Sequence, residues 1–174
     1  MEVGCGSGYV LTSVALLLQH AGVTSVLSAT DLNPDAIACT RKTLLNHGFT
    51  NEAASLVLAD LVNPLRPRLD GLLDLLLFNP PYVVTPEEEV GRPGLCSAWA
   101  GGKDGRVVID RFLPQVPSLL RPGGRMYMVA IQENRPPELI AWGRKLGLLC
   151  DVVLVRGADE EKLHILRYIR PKPS

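Results

Sequence analysis

The tetrapeptide Asn79-Pro80-Pro81-Tyr82 is the part of the chain whose residue types and spacing best suit a chemical reaction. It follows the apolar run 72–78, which resembles a buried parallel strand, and two successive prolines cannot continue a strand ladder. Ligands bind at the carboxyl ends of strands in open α/β sheets. Proline restricts its own φ and the residue before it, so the Asn79 side-chain amide and the Pro80 carbonyl can face one point. A planar –NH2 group could donate to both acceptors. The segment therefore suits methyl transfer to a planar nitrogen, and an ordinary strand-ending turn is the alternative.

A glycine-rich turn near the start of the chain, Glu2-Val3-Gly4-Cys5-Gly6-Ser7-Gly8, indicates a cofactor site. Such turns let a ligand approach the backbone closely. The dinucleotide fingerprint needs a third glycine where this chain has Tyr9, so the spacing is G-x-G-x-G and a nicotinamide dehydrogenase is disfavoured. The turn leads into an apolar helical pattern: Val10, Val14, Leu17 and Leu18.

Two further strand-like runs end in carboxylates. The run 25–30 ends in Asp31, where a carboxylate can take both ribose hydroxyls of a nucleoside. The run 55–59 ends in Asp60-Leu61, which could hold an adenine amino group and cover a face of its ring. The alternatives are an N-cap role for Asp31, ahead of the helix at Pro34-Asp35, and a simple turn for Asp60. The ordered series of four strand-end features favours a ligand site.

The composition of the chain limits the classes of protein to which it can belong. The chain has 174 residues, 47% of them hydrophobic, which predicts one globular domain over residues 1–174. Eighteen basic and eighteen acidic side chains give zero formal net charge, so nonspecific nucleic-acid binding is disfavoured. No signal peptide or membrane span is visible. The four cysteines are far apart, so neither a metal site nor a disulfide framework is predicted and a reducing compartment is favoured: Cys5, Cys39, Cys96 and Cys150.

Strand-like and helical patterns alternate along the chain, which predicts an α/β fold with a mostly parallel sheet of seven strands and helices on both faces. We expect a helix over residues 34–47 capped by Gly48, and a long substrate-facing loop over residues 85–105. A helix over residues 104–120 should be divided by its prolines. A turn at 121–124 should lead to a strand at 125–131, followed by a helix at 136–146. The runs 151–155 and 164–169 predict an antiparallel hairpin at one edge.

Together these segments resemble the HemK family of protein-glutamine methyltransferases, in the eukaryotic and archaeal branch that modifies class 1 release factors. The matching segments span the chain: Glu2-Val3-Gly4-Cys5-Gly6-Ser7-Gly8, Thr30-Asp31-Leu32-Asn33-Pro34, Ala59-Asp60-Leu61, Phe78-Asn79-Pro80-Pro81-Tyr82-Val83-Val84-Thr85-Pro86 and Ala98-Trp99-Ala100-Gly101-Gly102. The resemblance implies a Rossmann-like class I methyltransferase fold and S-adenosylmethionine as cofactor.

The resemblance also implies roles for individual residues. The expected cofactor-binding residues are Glu2, Gly4, Gly6, Gly8, Asp31, Leu32, Asp60, Leu61 and Asn79. The expected catalytic residues are Asn79, Pro80, Pro81 and Tyr82, and the expected substrate contacts are Asn79, Tyr82 and Trp99. For Tyr82 and Trp99, a packing role beside the turn stays an equal alternative.

The implied reaction is methylation of the glutamine in the Gly-Gly-Gln loop of a release factor. The branch is also associated with lysine methylation on a histone tail and adenine methylation in DNA. The implied partner is a small zinc-binding activator subunit, which would form a heterodimer by covering the apolar edge at Leu56-Val57-Leu58. The expected location is the cytoplasm, and also the nucleus for a histone substrate.

Family members carry a segment ahead of the glycine turn, with a Pro-x-x-Asp-Thr type motif, whereas this chain starts inside the first strand. The sequence therefore predicts a truncated first strand. Three hypotheses stay open: a glutamine methyltransferase, an adenine methyltransferase that receives a flipped base in the same slot, and an inactive form that only binds the activator.

Overall fold

The computed structural model of this chain describes residues 1–92, 94, 98–158 and 161–173. Its contacts group the chain into two compact units, Met1–Pro64 and Leu65–Ser174, here called unit 1 and unit 2. The prediction of a single domain stays a prediction. Within the described ranges, every helix is too short or too polar to cross a membrane.

Unit 1 is built from three parallel strands and two helices: β1 (Glu2–Val3), α1 (Tyr9–His20), β2 (Leu27–Asp31), α2 (Pro34–Asn46) and β3 (Ala54–Leu58). β2 lies between the other two strands, with Ala29 opposite both Glu2 and Leu56. Parallel strands need crossover connections, which here are the two helices. The predicted alternation and the short first strand are confirmed in this unit.

Helix α1 contains the apolar helical pattern that was predicted, and it packs on the core of unit 1 through residues outside that pattern. Leu11 and Ala15 are buried, whereas Leu17 is 68% exposed. The helix carries apolar residues around most of its circumference, so several overlapping stripes have helical spacing and periodicity cannot choose among them. The buried cluster comprises Cys5, Leu11, Ala15, Leu27, Ala29, Leu44 and Ala54.

Helix α2 begins and ends close to its predicted bounds. Asn33 is its N-cap, accepting a hydrogen bond from the Asp35 N–H at 2.9 Å. Pro34 occupies the first turn, where a missing N–H costs nothing. The N-cap alternative for Asp31 is therefore wrong, which leaves the Asp31 carboxylate available for another role.

Unit 2 contains the remaining strands and helices: β4 (Leu73–Phe78), α3 (Val107–Phe112), α4 (Val116–Leu119), β5 (Leu120–Ala130), α5 (Pro136–Lys145), β6 (Leu149–Ala158) and β7 (Glu161–Ile169). Its strand order is β4-β5-β7-β6. β4 and β5 are parallel, and β7 is antiparallel to both of its neighbours. The predicted hairpin is confirmed, and the described residues contain seven strands in total, as expected.

Two prolines divide the helical segment ahead of β5, as predicted. Helix α3 ends at Phe112, a 3-10 turn covers Leu113–Gln115, and α4 begins at Val116. Proline removes a hydrogen-bond donor and clashes with the preceding turn, so the helix breaks at these positions. The segment still packs on the sheet, because the Phe112 and Phe78 rings meet edge to face with centroids 4.6 Å apart.

The turn predicted at residues 121–124 is wrong, because these residues form an irregularity inside β5. The register with β4 passes from Leu73 opposite Leu120 to Leu75 opposite Arg125, so the extra residues bulge out of the ladder. Gly123 takes a φ of 81° at this point. The bulge is tied to the end of the chain, since the Gly123 N–H donates to the Arg170 carbonyl at 2.8 Å.

Candidate active site

The glycine turn of unit 1 is held by β2 and α2. The N–H groups of Gly4 and Cys5 donate to the Thr30 carbonyl at 2.8 and 3.0 Å. On the other side, a Cβ on Gly8 would lie 2.8 Å from the Thr40 Cα, so only glycine allows this close approach. Gly6 is exposed, and its missing Cβ would meet no atom within 4 Å. The turn is therefore closed toward α2 and open at Gly6.

Asp31 connects the end of β2 to the glycine turn. Its Oδ2 atom accepts a hydrogen bond from the Gly6 N–H at 2.8 Å, and its Oδ1 atom accepts from the Asn33 N–H at 2.9 Å. An ionised carboxylate offers about four acceptor positions, so two stay available to hydroxyl donors. The side chain is half-buried and therefore reachable from the surface.

Glu2 is buried rather than displayed at the surface. Its Oε2 atom accepts a hydrogen bond from the Leu11 N–H at 3.0 Å, which satisfies an amide in the first turn of α1. Burial raises the pKa of Glu2 to about 7, and the bond from Leu11 opposes part of this rise. The structure gives Glu2 a role in fixing the exit from the glycine turn, and its predicted cofactor contact stays a prediction.

The residues after β3 lie beside the end of β2. The Ala59 N–H donates to the Asp31 carbonyl at 2.8 Å, which carries the Asp60 backbone toward Asp31. Asp60 is half-buried, and Leu61 is buried in a left-handed conformation with φ 56°. Leu32 is 48% exposed. Unit 1 thus brings the predicted cofactor residues of three strand ends into one region.

In unit 2, the tetrapeptide begins directly after β4, as predicted. Asn79 is exposed, Pro80 is buried, and Pro81 and Tyr82 are half-buried. Burial and the charge of Glu161 raise the pKa of Tyr82, so its phenol keeps its proton at neutral pH. The exposed amide of Asn79 is the part of this segment best placed to meet a ligand.

The chain that follows the tetrapeptide is paired with the predicted Trp99-Ala100-Gly101-Gly102 segment. The Val83 N–H donates to the Trp99 carbonyl at 3.0 Å, and the Gly101 N–H donates to the Val83 carbonyl at 2.8 Å. Thr85 and Gly102 add two bonds, of 3.2 and 3.1 Å. Trp99 itself is 43% exposed. The structure joins these two motifs through their backbones, which their sequence positions did not predict.

Two glycines make this pairing possible. A Cβ on Gly101 would lie 2.6 Å from the Pro81 carbonyl oxygen, and a Cβ on Gly105 would overlap the Tyr82 carbonyl oxygen. Side chains at these positions would push the tetrapeptide away. Its backbone is therefore packed against the glycine segment with no intervening space.

Asn134 is a residue that the sequence analysis missed. It is fully buried, and its Nδ2 atom donates to the carbonyl oxygens of Tyr82 and Asp104 at 2.8 and 3.0 Å. Its Oδ1 atom accepts from the Ile131 N–H at 2.7 Å. The available signal was its place just after β5, because polar residues that follow buried parallel strands lie at the ligand-binding edge.

The described residues contain no group of three or more histidine, cysteine or acidic side chains that could hold a metal ion. Three described cysteines are free: Cys5, Cys39 and Cys150. Cys96, which enters the same prediction, lies outside the described residues. Parts of the predicted substrate-facing loop, at residues 93 and 95–97, also lie outside them.

Comparison with known proteins identifies the family. Residues 1–92 match the Methyltransferase small domain family. The chain is 45% identical to Methyltransferase HEMK2 of Mus musculus, over 97% of this chain and 76% of that protein. It is 32% identical to the eRF1 methyltransferase catalytic subunit mtq2 of Schizosaccharomyces pombe, over 97% and 74% of the two chains.

A solved structure agrees with these relatives. In the structure of the E. cuniculi Mtq2-Trm112 complex, the matching chain is 27% identical, and the match covers 97% of this chain and 82% of that chain with a TM-score of 0.66. The predicted class I methyltransferase fold is thereby confirmed. The chain belongs to the release factor glutamine methyltransferases, in their eukaryotic and archaeal HEMK2/Mtq2 branch.

Proposed function

We propose that this chain transfers a methyl group from S-adenosylmethionine to the side-chain amide nitrogen of the glutamine in the Gly-Gly-Gln loop of a translation release factor. The observation that carries the proposal is the exposed Asn79 amide at the end of β4, on a backbone braced by Gly101, Gly105 and Asn134. The S. pombe relative is named as an eRF1 methyltransferase, which supports the same substrate class.

The residues of unit 1 fit the proposed cofactor. The glycine turn is open at Gly6, and the Asp31 carboxylate keeps acceptor positions for two ribose hydroxyls. Asp60 would receive the adenine amino group, with Leu32 and Leu61 beside the ring. When bound, S-adenosylmethionine supplies an electrophilic methyl group. In this proposal Glu2 stabilises the glycine turn by accepting a hydrogen bond from the Leu11 N–H at the start of α1.

The residues of unit 2 fit a planar amide as acceptor. An amide nitrogen is a weak nucleophile because its lone pair is shared with the carbonyl, so it must be held in line at about 3 to 3.5 Å from the reacting carbon. The Asn79 side-chain oxygen and the Pro80 carbonyl would accept its two N–H hydrogens. These acceptors favour the positive character that develops on nitrogen during transfer, which removes the need for a strong base at that step.

A glutamine substrate agrees better than a lysine with the chemistry of Tyr82. A lysine ammonium has no lone pair and must lose a proton before attack. Burial and Glu161 raise the pKa of Tyr82, so its phenol is not a proton acceptor at neutral pH. The proposed glutamine reaction has no such requirement. A release factor acts in translation, so we propose the cytoplasm as the place of reaction.

We also propose that the active form is a heterodimer with a small zinc-binding activator. The E. cuniculi Mtq2 structure is a complex with Trm112. Among the described residues, β3 pairs with β2 alone and ends the strand order, and its Leu58 is 57% exposed. An apolar edge strand of this kind is a liability unless a partner covers it. A Trm112-type subunit on Leu56-Val57-Leu58 would provide that cover.

The proposal is tested by co-expressing the chain with a Trm112-type activator and measuring labelled methyl incorporation into three substrates. These are a release factor, a histone tail peptide and adenine-containing duplex DNA, with the release factor whose loop glutamine is replaced by alanine as control. We expect label in the intact release factor and none in the control. Greater incorporation into histone or DNA would overturn the substrate assignment. Cofactor binding without transfer to any substrate would favour a non-catalytic role.

A further inference from the structure

We propose that Asn134 is a positioning residue for methyl transfer. Its side chain holds the Tyr82 carbonyl and thereby fixes the direction in which Asn79 presents its amide. This inference rests on the proposed function and assigns a role to a residue outside the sequence motifs.

Both polar atoms of the Asn134 side chain form hydrogen bonds with the surrounding backbone. Its Nδ2 atom donates to the carbonyls of Tyr82 and Asp104, with the Gly105 carbonyl at 3.4 Å, while its Oδ1 atom accepts from Ile131. The amide orientation follows from these partners, because carbonyl oxygens must face the NH2 group and the N–H must face the oxygen. With no exposed surface, the group has no water to replace a lost bond.

The tetrapeptide is anchored at both ends, so we expect a displacement of the Tyr82 backbone to change the orientation of Asn79. At its start, Phe78 is in register with Met128 of β5. At its end, Asn134 holds Tyr82 at 2.8 Å. Pro80 and Pro81 lie between these anchors and have fixed φ angles, so few backbone torsions in the segment can rotate. Release of the Tyr82 carbonyl is therefore expected to turn the Asn79 amide.

The backbone around Asn134 is held in conformations that need support. Asp104 and Arg135 both take left-handed φ angles, of 56° and 55°, which are uncommon for non-glycine residues. An ion pair of 3.2 Å links their side chains. Such conformations persist where the surrounding structure determines them, and they concentrate at functional sites. Here one of them presents the Asp104 carbonyl to Asn134.

The first test compares wild type with Asn134→Ala in the complex with the activator. We expect kcat for release-factor methylation to fall about 100-fold, as a displacement of about 1 Å at a reacting group can cause. The KM for the release factor and the Kd for S-adenosylmethionine should stay within about 3-fold of wild type. The matched control is Glu138→Gln, which removes the charge pairs of Glu138 with Arg106 at 2.9 Å and with Arg135 at 3.5 Å but keeps the Asn134 side chain.

A second pair of variants covers the case in which Asn134→Ala does not fold. The Thr85 hydroxyl accepts from the Gly102 N–H at 3.1 Å, on the partly exposed side of the pairing between the tetrapeptide exit and the glycine segment. We expect Thr85→Val to lower kcat at unchanged cofactor Kd, and Thr85→Ser, which keeps the hydroxyl, to restore it. Wild-type kcat in both Asn134→Ala and Thr85→Val would overturn the inference. A loss of cofactor binding equal to the loss of kcat would mean general unfolding and would also overturn it.

Hydrogen exchange separates this inference from the proposed function. The amides of Val83 and Gly101 form the bonds between the tetrapeptide exit and the glycine segment. We expect faster exchange at these amides in Asn134→Ala than in Glu138→Gln, whichever substrate wild type methylates. Unchanged exchange would contradict the claim that Asn134 holds the tetrapeptide exit in place. An inactive wild type with the expected exchange would contradict only the proposed reaction.

Discussion

At the scale of single residues, Asn79 is the group on which the acceptor chemistry depends. It is exposed at the end of β4, whereas the adjoining Pro80 is buried. The side chain is thus free to meet a ligand while its backbone stays within the fold. A side-chain amide in this setting can accept a hydrogen bond from the incoming nitrogen at a fixed distance.

Asn79→Ala should strongly reduce methyl transfer with little effect on cofactor binding. Loss of one preorganised hydrogen-bonding group lowers kcat by about 10² to 10³. Steady-state methylation gives kcat, and calorimetry gives the Kd for S-adenosylmethionine. Asn51→Ala, at an exposed asparagine in a turn of unit 1, is the control. Retained turnover in Asn79→Ala would contradict the assigned role.

Glu2 is a single residue that should make the stability of the fold depend on pH. Burial raises the pKa of Glu2 from 4.5 to about 7, so the native state keeps a proton that the unfolded chain has already released in this interval. The contribution of Glu2 to stability is therefore present at low pH and is lost as pH rises from about 4.5 to about 7.

Glu2→Gln should remove this pH dependence, because a neutral amide keeps an oxygen for the Leu11 N–H. We expect its free energy of unfolding to match wild type within about 1 kcal/mol at pH 5, and to exceed it by about 2 to 3 kcal/mol at pH 8. Urea unfolding at the two pH values measures both differences. An equal difference at both values would show that Glu2 does not titrate in this window.

At the scale of elements, the structure explains why the glycines near residue 100 accompany the tetrapeptide. The exit from β4 crosses the segment 99–105 at a distance that leaves no room for a side chain at two of its positions. Gly101 faces the Pro81 carbonyl and Gly105 faces the Tyr82 carbonyl. These two segments therefore form one folded unit, although about twenty residues of chain separate them.

Gly105→Ala should destabilise the protein more than Gly71→Ala. Both glycines have positive φ, of 63° and 72°, but a Cβ on Gly105 overlaps Tyr82 whereas a Cβ on Gly71 meets no atom within 4 Å. We expect a loss of about 1 to 2 kcal/mol for Gly71→Ala from backbone conformation and about 3 kcal/mol or more for Gly105→Ala. Urea unfolding compares the two variants. Equal losses would mean that the close approach has no energetic effect.

At the scale of the whole molecule, the proposed partner explains why an apolar strand edge is exposed. Leu58 on β3 is 57% exposed, and within the part of the chain that the structure describes this strand has one neighbour, β2. Binding of a subunit there would bury the edge and remove a site of aggregation.

Leu58→Glu should weaken binding of the Trm112-type activator at least 10-fold, because burial of a charge in an apolar interface is costly. Leu72→Glu is the matched control, since Leu72 is a similarly exposed leucine of unit 2. Calorimetric titration of the two variants with the activator gives the affinities, and thermal unfolding checks that both are folded. Equal affinities would move the partner to another surface.

Much of this protein follows from short-range patterns in its chain. The strands that lead to Asp31, Asp60 and Asn79 were predictable, because each is a short apolar run bounded by turn residues. The helix break at Pro114 and Pro117 was predictable because proline acts on its own turn. The family followed from the motifs themselves.

Other features depend on contacts between distant residues, and these required the folded structure. The residues 121–124 read as a turn, yet the ladder with β4 absorbs them as a bulge. The inward face of α1 was ambiguous because most of its faces are apolar. Asn134 carries no local signature of its contact with Tyr82, 52 positions away. A hydrogen bond between distant segments forms only when folding has brought them together, so no local pattern can encode it.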